Sequence, residues 1–184
     1  MRVFVGCSAK DTLKRKYDKL ASDVATVLAK RGSKLVFGGV DSGMMGKSYM
    51  TFRYEGLPVM GIADLSDAEI LKNIEVDAYE VTPTTFRRTE EIFKNSDMIV
   101  ILPGGLGTIA EIFAMIDEIR TRKINKPLII FNKDNYYTPL LEFIKSSYEE
   151  GFISESDLKL IDIVSDLKTF DRLIEKYNNR KESE

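Results

Sequence analysis

Pro103-Gly104-Gly105-Leu106-Gly107-Thr108 follows the most strand-like run of the chain, residues 98–102, and opens a stretch of helical spacing. Gly104, Gly105 and Gly107 strip Cβ atoms from a turn that must wrap an anion. Thr108 adds a hydroxyl at a helix start, where unpaired amides and the helix dipole favour negative charge. The pattern predicts a phosphate cradle. It lacks the Gly-Lys-Ser/Thr ending of a P-loop and the Gly-x-Gly-x-x-Gly dinucleotide fingerprint, which argues against ATP hydrolysis and NAD. Glu111 lies one helical turn further on, inside the otherwise apolar run Ile109-Ala110-Glu111-Ile112-Phe113-Ala114-Met115-Ile116. An acid there is expected to be partly buried, which is costly without a cationic partner. The preceding helix supplies Arg87 and Arg88. Thr85, Arg88 and Ile92 share one side of it, and Phe86, Thr89 and Phe93 another. Arg87 reads as a solvated surface charge, which leaves Arg88 as the candidate partner.

Two further glycine-bearing turns follow strands. Gly6-Cys7-Ser8 offers backbone N–H groups and a hydroxyl, and is equally well explained as a plain strand-to-helix turn. Gly38-Gly39-Val40-Asp41-Ser42-Gly43-Met44-Met45-Gly46 would let backbone approach a ligand before a helix begins. In a doubly wound sheet all three turns open onto one edge and converge.

The chain contains no histidine and a single cysteine, Cys7. That removes the Ser-His-Asp triad, imidazole acid–base work, a Cys/His dyad and the usual zinc clusters together, so no metal and no cofactor is expected. Catalysis must run on carboxylates, Lys, Arg, Tyr or the backbone. The lone thiol fits a reducing, cytoplasmic setting. With 27 basic and 29 acidic residues the formal charge is −2. No broad basic field exists for a nucleic-acid backbone or an anionic membrane. The first residues reach a turn too soon for a signal peptide and no apolar run approaches a membrane span, so an unprocessed, soluble protein is expected.

The elements that must position these groups follow from periodicity and breakers in a chain of 184 residues, 43% of them hydrophobic. Strands are predicted at residues 1–5, 34–37, 58–62, 78–81, 98–102, 127–131 and 161–164. Helices are predicted at 12–31, closed by Gly32, at 44–55, stopped by Gly56, and at 109–122, 138–149 and 167–177. A helical turn is expected near 67–71. Thr82-Pro83 reads as a capping hydroxyl and first-turn proline for a helix through residue 94. The order predicts one α/β domain over residues 1–177, a doubly wound parallel sheet with helices on both faces. A frayed polar tail is expected over 178–184.

Gly38-Gly39-x-x-x-Gly43-Met44-Met45-Gly46, the arginine fifteen positions before Pro103, and Pro103-Gly104-Gly105-x-Gly107-Thr108-x-x-Glu111 together resemble the LONELY GUY family. The resemblance continues through Asn132-Lys133-Asp134-Asn135-Tyr136-Tyr137 and Glu149-Glu150-Gly151-Phe152-Ile153. It implies a Rossmann-like fold, a homodimer or larger assembly, and hydrolysis of the N-glycosidic bond of a nucleoside 5′-monophosphate, AMP or a cytokinin nucleotide, to free base and ribose 5-phosphate. By position, Arg88 matches the family's catalytic arginine and Glu111 its catalytic glutamate. Gly104, Gly105, Gly107 and Thr108 fall at the phosphate, and Ser8 and Gly39 match further nucleotide contacts. The family writes Met-x-x-Arg-Lys-x-x-Met on the arginine helix where this chain has Thr85, Thr89 and Ile92 at the variable places. The resemblance therefore implies the reaction type rather than the base. Phe113, Met115 and Ile116 are expected to give their helix a surplus apolar face for a dimer.

Two rival readings are distinct in kind. A nucleotide- or cofactor-binding protein without turnover, as in the molybdenum-cofactor carriers, would share the glycine motif. An amino-acid decarboxylase would need a Schiff-base lysine under a stacking ring, and neither a histidine nor a fitting lysine is present to serve it.

Overall fold

A computed structural model describes residues 1–182 of the chain. The strands are β1 (Arg2–Gly6), β2 (Lys34–Phe37), β3 (Val59–Asp64), β4 (Ala78–Thr82), β5 (Met98–Ile101), β6 (Leu128–Phe131) and β7 (Ile161–Val164). The helices are α1 (Arg15–Lys30), α2 (Gly43–Tyr54), α3 (Ala68–Lys72), α4 (Thr85–Asn95), α5 (Leu106–Arg122), α6 (Thr138–Glu149), α7 (Glu155–Leu158) and α8 (Leu167–Glu182). All strand pairs are parallel, in the order β4-β3-β2-β1-β5-β6-β7. The chain winds outward from β1 to β4, then crosses back to lay β5 against the other side of β1, where Gly6 pairs with Ile101. That reversal opens a crevice at the carboxyl ends of β1 and β5, the place where ligands settle in such sheets.

Alternation along the strands divides the core into two. Val3, Val5, Leu35, Phe37, Met98 and Val100 face α1, α2 and α8 through Leu20, Val24, Leu28, Phe52, Phe170 and Ile174. Phe4, Val36, Ile99, Ile101, Leu128 and Ile130 face α4 and α5 through Ile92, Phe93, Ile112, Met115 and Ile119. Both faces are covered, which is why the central strands read as continuous apolar runs rather than alternating ones. Each of these side chains contributes roughly 2 kcal/mol by leaving water. They fix α4 and α5 side by side over the crevice.

Several boundaries differ from the sequence reading for identifiable reasons. The cap of α4 is Thr84, whose hydroxyl accepts from Arg87 N. Thr82 instead closes β4 and donates its hydroxyl to Ala63 O and Thr84 O. Helix α5 begins at Leu106, three residues before the start expected at residue 109, because Gly105 is extended and already accepts from Ile109 N. Gly107 and Thr108 thus belong to the helix's first turn. Helix α8 runs on to Glu182, so the tail expected to fray from residue 178 is helical that far, and Ser183 and Glu184 lie outside the described residues. Met115 is fully buried and Ile116 packs partly on the same core; of the three residues expected to form a surplus face, Phe113 is the one exposed. Among the described residues no helix is long and apolar enough to cross a membrane.

Candidate active site at the carboxyl edge of the sheet

Because β2, β1 and β5 are neighbours, their three following turns meet. The first two are tied to each other: Ser42 Oγ donates to Ala9 O (2.6 Å), Gly43 N to Asp11 Oδ1 (2.7 Å) and Met45 N to Ser8 O (3.1 Å). A Cβ on Gly43 would stand 2.6 Å from Lys10 O, and its φ of +56° is left-handed. This glycine therefore lets one turn approach the other. Two amides at the start of α2, those of Gly43 and Met45, are spent on that contact, in the turn whose glycines were expected to let backbone approach a ligand. Ser8 Oγ accepts from Lys10 N within its own loop (3.2 Å), and Gly39, at φ +80°, packs against Ala63 and Leu71.

The third turn is arranged differently. Gly104 is buried, and a Cβ there would lie 2.1 Å from Thr108 Oγ1, so only glycine allows Thr108 to fold back over the turn. Gly104 O accepts from Tyr136 O–H (2.7 Å) and Leu102 O from Tyr137 O–H (2.8 Å), which brace the loop from behind. Gly105 and Gly107 are exposed, with nothing within 4 Å of where a Cβ would be. The amides of Leu106, Gly107 and Thr108 precede the first intrahelical hydrogen bond and carry the positive end of the seventeen-residue α5. The helix start that follows β5 is thus open on this edge.

One turn along α5, Glu111 is only 8% exposed. Its Oε1 accepts from Arg88 Nη2 at 3.2 Å, the ion pair expected from sequence. Burial pushes the carboxyl up to about 7 against the opposing pull of Arg88, so the arginine does not hold it firmly ionised. Desolvation outweighs one pairing contact of this length. Cys7, behind Glu111, is a buried thiol raised by its burial and then by the glutamate's charge; Tyr137 is raised as well, chiefly by desolvation. Arg87 is a surface charge paired with Glu90. Arg88 and Glu111 open into a cleft of ≈ 640 Å³ between α4 and α5, whose walls include Gly107, Ala110, Ala114, Thr85 and Thr89. No lysine stands among its described lining residues.

A protein-family profile described as "Possible lysine decarboxylase" matches residues 43–174. A cytokinin riboside 5′-monophosphate phosphoribohydrolase of Arabidopsis thaliana, LOG3, is 32% identical over 178 residues, covering 96% of this chain and 82% of the relative. A probable enzyme of the same description from Oryza sativa subsp. japonica, LOGL3, is 35% identical over 164 residues, covering 87% and 76%. The chain belongs to the LONELY GUY family. Among solved structures it is similar to the molybdenum cofactor carrier protein of Chlamydomonas reinhardtii, with a TM-score of 0.71 at 18% identity and coverage of 95% and 96%. The molybdenum cofactor binding protein of Rippkaea orientalis gives 0.69 at 20%, covering 96% and 94%. At such identity these two speak for the fold.

Within that family fold, Arg88, Glu111 and Gly107 line one cleft, Gly104, Gly105 and Thr108 belong to the turn that leads into it, and Ser8 and Gly39 sit on the two adjoining turns of the same edge. The sequence reading missed Asp64, Asp67 and the role of Thr85. Asp64 ends β3 and Asp67 immediately precedes α3 without a side-chain capping bond. Asp64 is buried and accepts from Ser66 N (3.0 Å), Ser66 O–H and Thr85 O–H (2.7 Å). Asp67 Oδ2 lies 4.0 Å from Arg88 Nη1. The available signal was topological: β3 neighbours β2, so the polar turn after it reaches the same edge as the glycine turns.

Proposed function

We propose that this protein is a phosphoribohydrolase that cleaves the N-glycosidic bond of a nucleoside 5′-monophosphate, AMP or a cytokinin nucleotide, to free base and ribose 5-phosphate. The observation that carries this reading is the buried Glu111–Arg88 pair one helical turn beyond an open, glycine-lined helix start. The amides of Gly105, Gly107 and Thr108 hold the phosphate, with Gly104 allowing the turn its shape. The phosphate then supplies binding energy remote from the reacting bond. Glu111 faces the ribose. Its ionised form stabilises the oxocarbenium-like sugar and takes a proton from the attacking water, the electrostatic and general-base parts of glycoside hydrolysis. Arg88 keeps that ionised form accessible in a site where burial opposes it. Ser8 and Gly39, on the adjoining turns, complete the nucleotide's surroundings.

We further infer that the protein works as a cytoplasmic homodimer. Family membership and the exposed Phe113 on α5 support the dimer, and the single buried thiol suits a reducing compartment. Incubating the purified protein with a panel of nucleoside monophosphates and resolving free base by chromatography tests the activity. Release of base and ribose 5-phosphate from at least one of them is expected. Tight nucleotide binding with no product after prolonged incubation would instead mark a binding protein.

A further inference from the structure

Arg88 is crowded by more negative charge than Glu111 alone. Its guanidinium lies between Glu111 on α5, at 3.2 Å, and Asp67 at the start of α3, at 4.0 Å. Its backbone N–H donates to Thr84 O (3.0 Å), fixing the first turn of α4, while its buried Nε has no hydrogen-bond partner among the described residues. Asp64 acts on the same turn from the exit of β3. One oxygen receives both the amide and the hydroxyl of Ser66, and the other receives the Thr85 hydroxyl, three residues before Arg88 on the same side of α4. The Asp64 carboxyl is held below its ordinary range, by the Ser66 hydroxyl first, then by Thr85 and the Ser66 amide, with the charge of Arg88 adding to these. It is therefore a fixed negative charge at neutral pH. Asp67 N donates to Asp64 O (3.2 Å), so the two acids move as one short unit.

We propose that Asp64 and Asp67 are positioning residues for the glycosidic reaction: from the exit of β3, Asp67 shares the Arg88 guanidinium with Glu111 while Asp64 holds the first turn of α4 through Thr85, and together they limit how much of the arginine's charge reaches that carboxyl. Asp64 sets the rotation of α4 through Thr85, and Asp67 pulls on the far side of the guanidinium. Glu111 is left with one contact instead of a two-pronged, close pair, which is the arrangement an acid needs to gain and lose a proton near neutral pH. Glu90, Asp117 and Glu118 line the same cleft, and two further titratable groups among the described residues, Cys7 at the exit of β1 and Tyr137 at the start of α6, feel the Glu111 charge. Both are raised by burial, remain uncharged at neutral pH and do not compete for the guanidinium.

The proposal rests on the reaction proposed above for its meaning, but its test does not require turnover. In the full-length, substrate-free protein carrying ¹³C-labelled glutamate, the Glu111 side-chain carboxyl is titrated by NMR and assigned with Glu111→Gln. Asp67→Asn and Asp64→Asn each remove a negative charge and release Arg88 toward Glu111. Both effects have the same sign, so the midpoint is expected to fall by roughly half to one pH unit. Arg88→Gln is expected to raise it, and the pH profile of kcat/KM should follow the midpoint in each variant. A midpoint that stays within about 0.2 unit in Asp67→Asn, while Arg88→Gln moves it, would overturn the proposal. Asp67 is partly exposed and outside the core, so this variant decides the matter should Asp64→Asn fail to fold. A shifted midpoint in a protein that hydrolyses no nucleotide would uphold the sharing of Arg88 and overturn the reaction.

Discussion

Glu111 places an ionisable oxygen where water is nearly excluded, and the cost of doing so should show in two measurements, stability and activity against pH. The carboxyl keeps its proton up to about pH 7 in the folded protein, against an ordinary value of 4.5. Between those limits the folded state holds a proton that the unfolded chain has lost, so stability declines as pH rises through that window and the penalty is complete above it. Its size is on the order of 3 kcal/mol at most. Glu111→Gln removes the titration. Urea unfolding should therefore show the variant gaining on the parent between pH 5 and pH 8, and a constant difference would contradict the burial argument. Activity has the opposite sign. The ionised form is the working one, so kcat/KM should rise with pH through about 7, and Glu111→Gln should lower kcat by at least about 100-fold while inorganic phosphate still binds.

At the scale of elements, the β5–α5 turn separates glycines that shape the protein from glycines that leave room for a ligand. Gly104→Ala would drive a methyl into Thr108 Oγ1, so a lower melting temperature and a higher KM are expected together. Gly105→Ala meets open space at an ordinary negative φ, so its melting temperature should match the parent's while KM for the nucleotide rises several-fold. If KM were unchanged in Gly105→Ala, the phosphate would not sit where the cradle is drawn. The cap of α4 offers a smaller effect. Thr84→Ala removes the acceptor for Arg87 N and should cost about 1 kcal/mol in urea unfolding. The same change at Thr82 would act through its hydroxyl's contacts with Ala63 O and Thr84 O, not through a helix cap.

For the whole molecule, the consequential feature is the reversal of winding between β1 and β5. It sets the turns after β2, β1 and β5 in a row and adds the acid-bearing exit of β3 at one end. The helices over the second face, α4 and α5, then present Arg88 and Glu111 to each other across the cleft between them. Phe113 lies on the outer side of α5, 40% exposed beside this cleft. A homodimer that covers it should bury at least about 1,200 Å² in all. Sedimentation velocity at micromolar concentration is expected to show a dimer, with Phe113→Lys shifting it toward monomer. A monomeric parent protein would remove Phe113 from that role.

Much of this was legible in the chain itself. Strand and helix order, the glycine turn that opens α5, the partial burial of Glu111 and its pairing with Arg88 follow from periodicity, missing Cβ atoms and the cost of an unpaired acid, all of which are local. What the tertiary structure alone decided is which groups share space. Gly43 lets one loop approach another, Met115 is covered by its own sheet, and Asp67 reaches Arg88, and Asp64 reaches Thr85, from a turn 21 residues upstream. It also decided that desolvation outweighs the arginine at Glu111. The physical reason is one of range. Propensity and capping act over a few residues along the chain, whereas the balance of charge and burial at a side chain is summed over neighbours that only the packed sheet brings together.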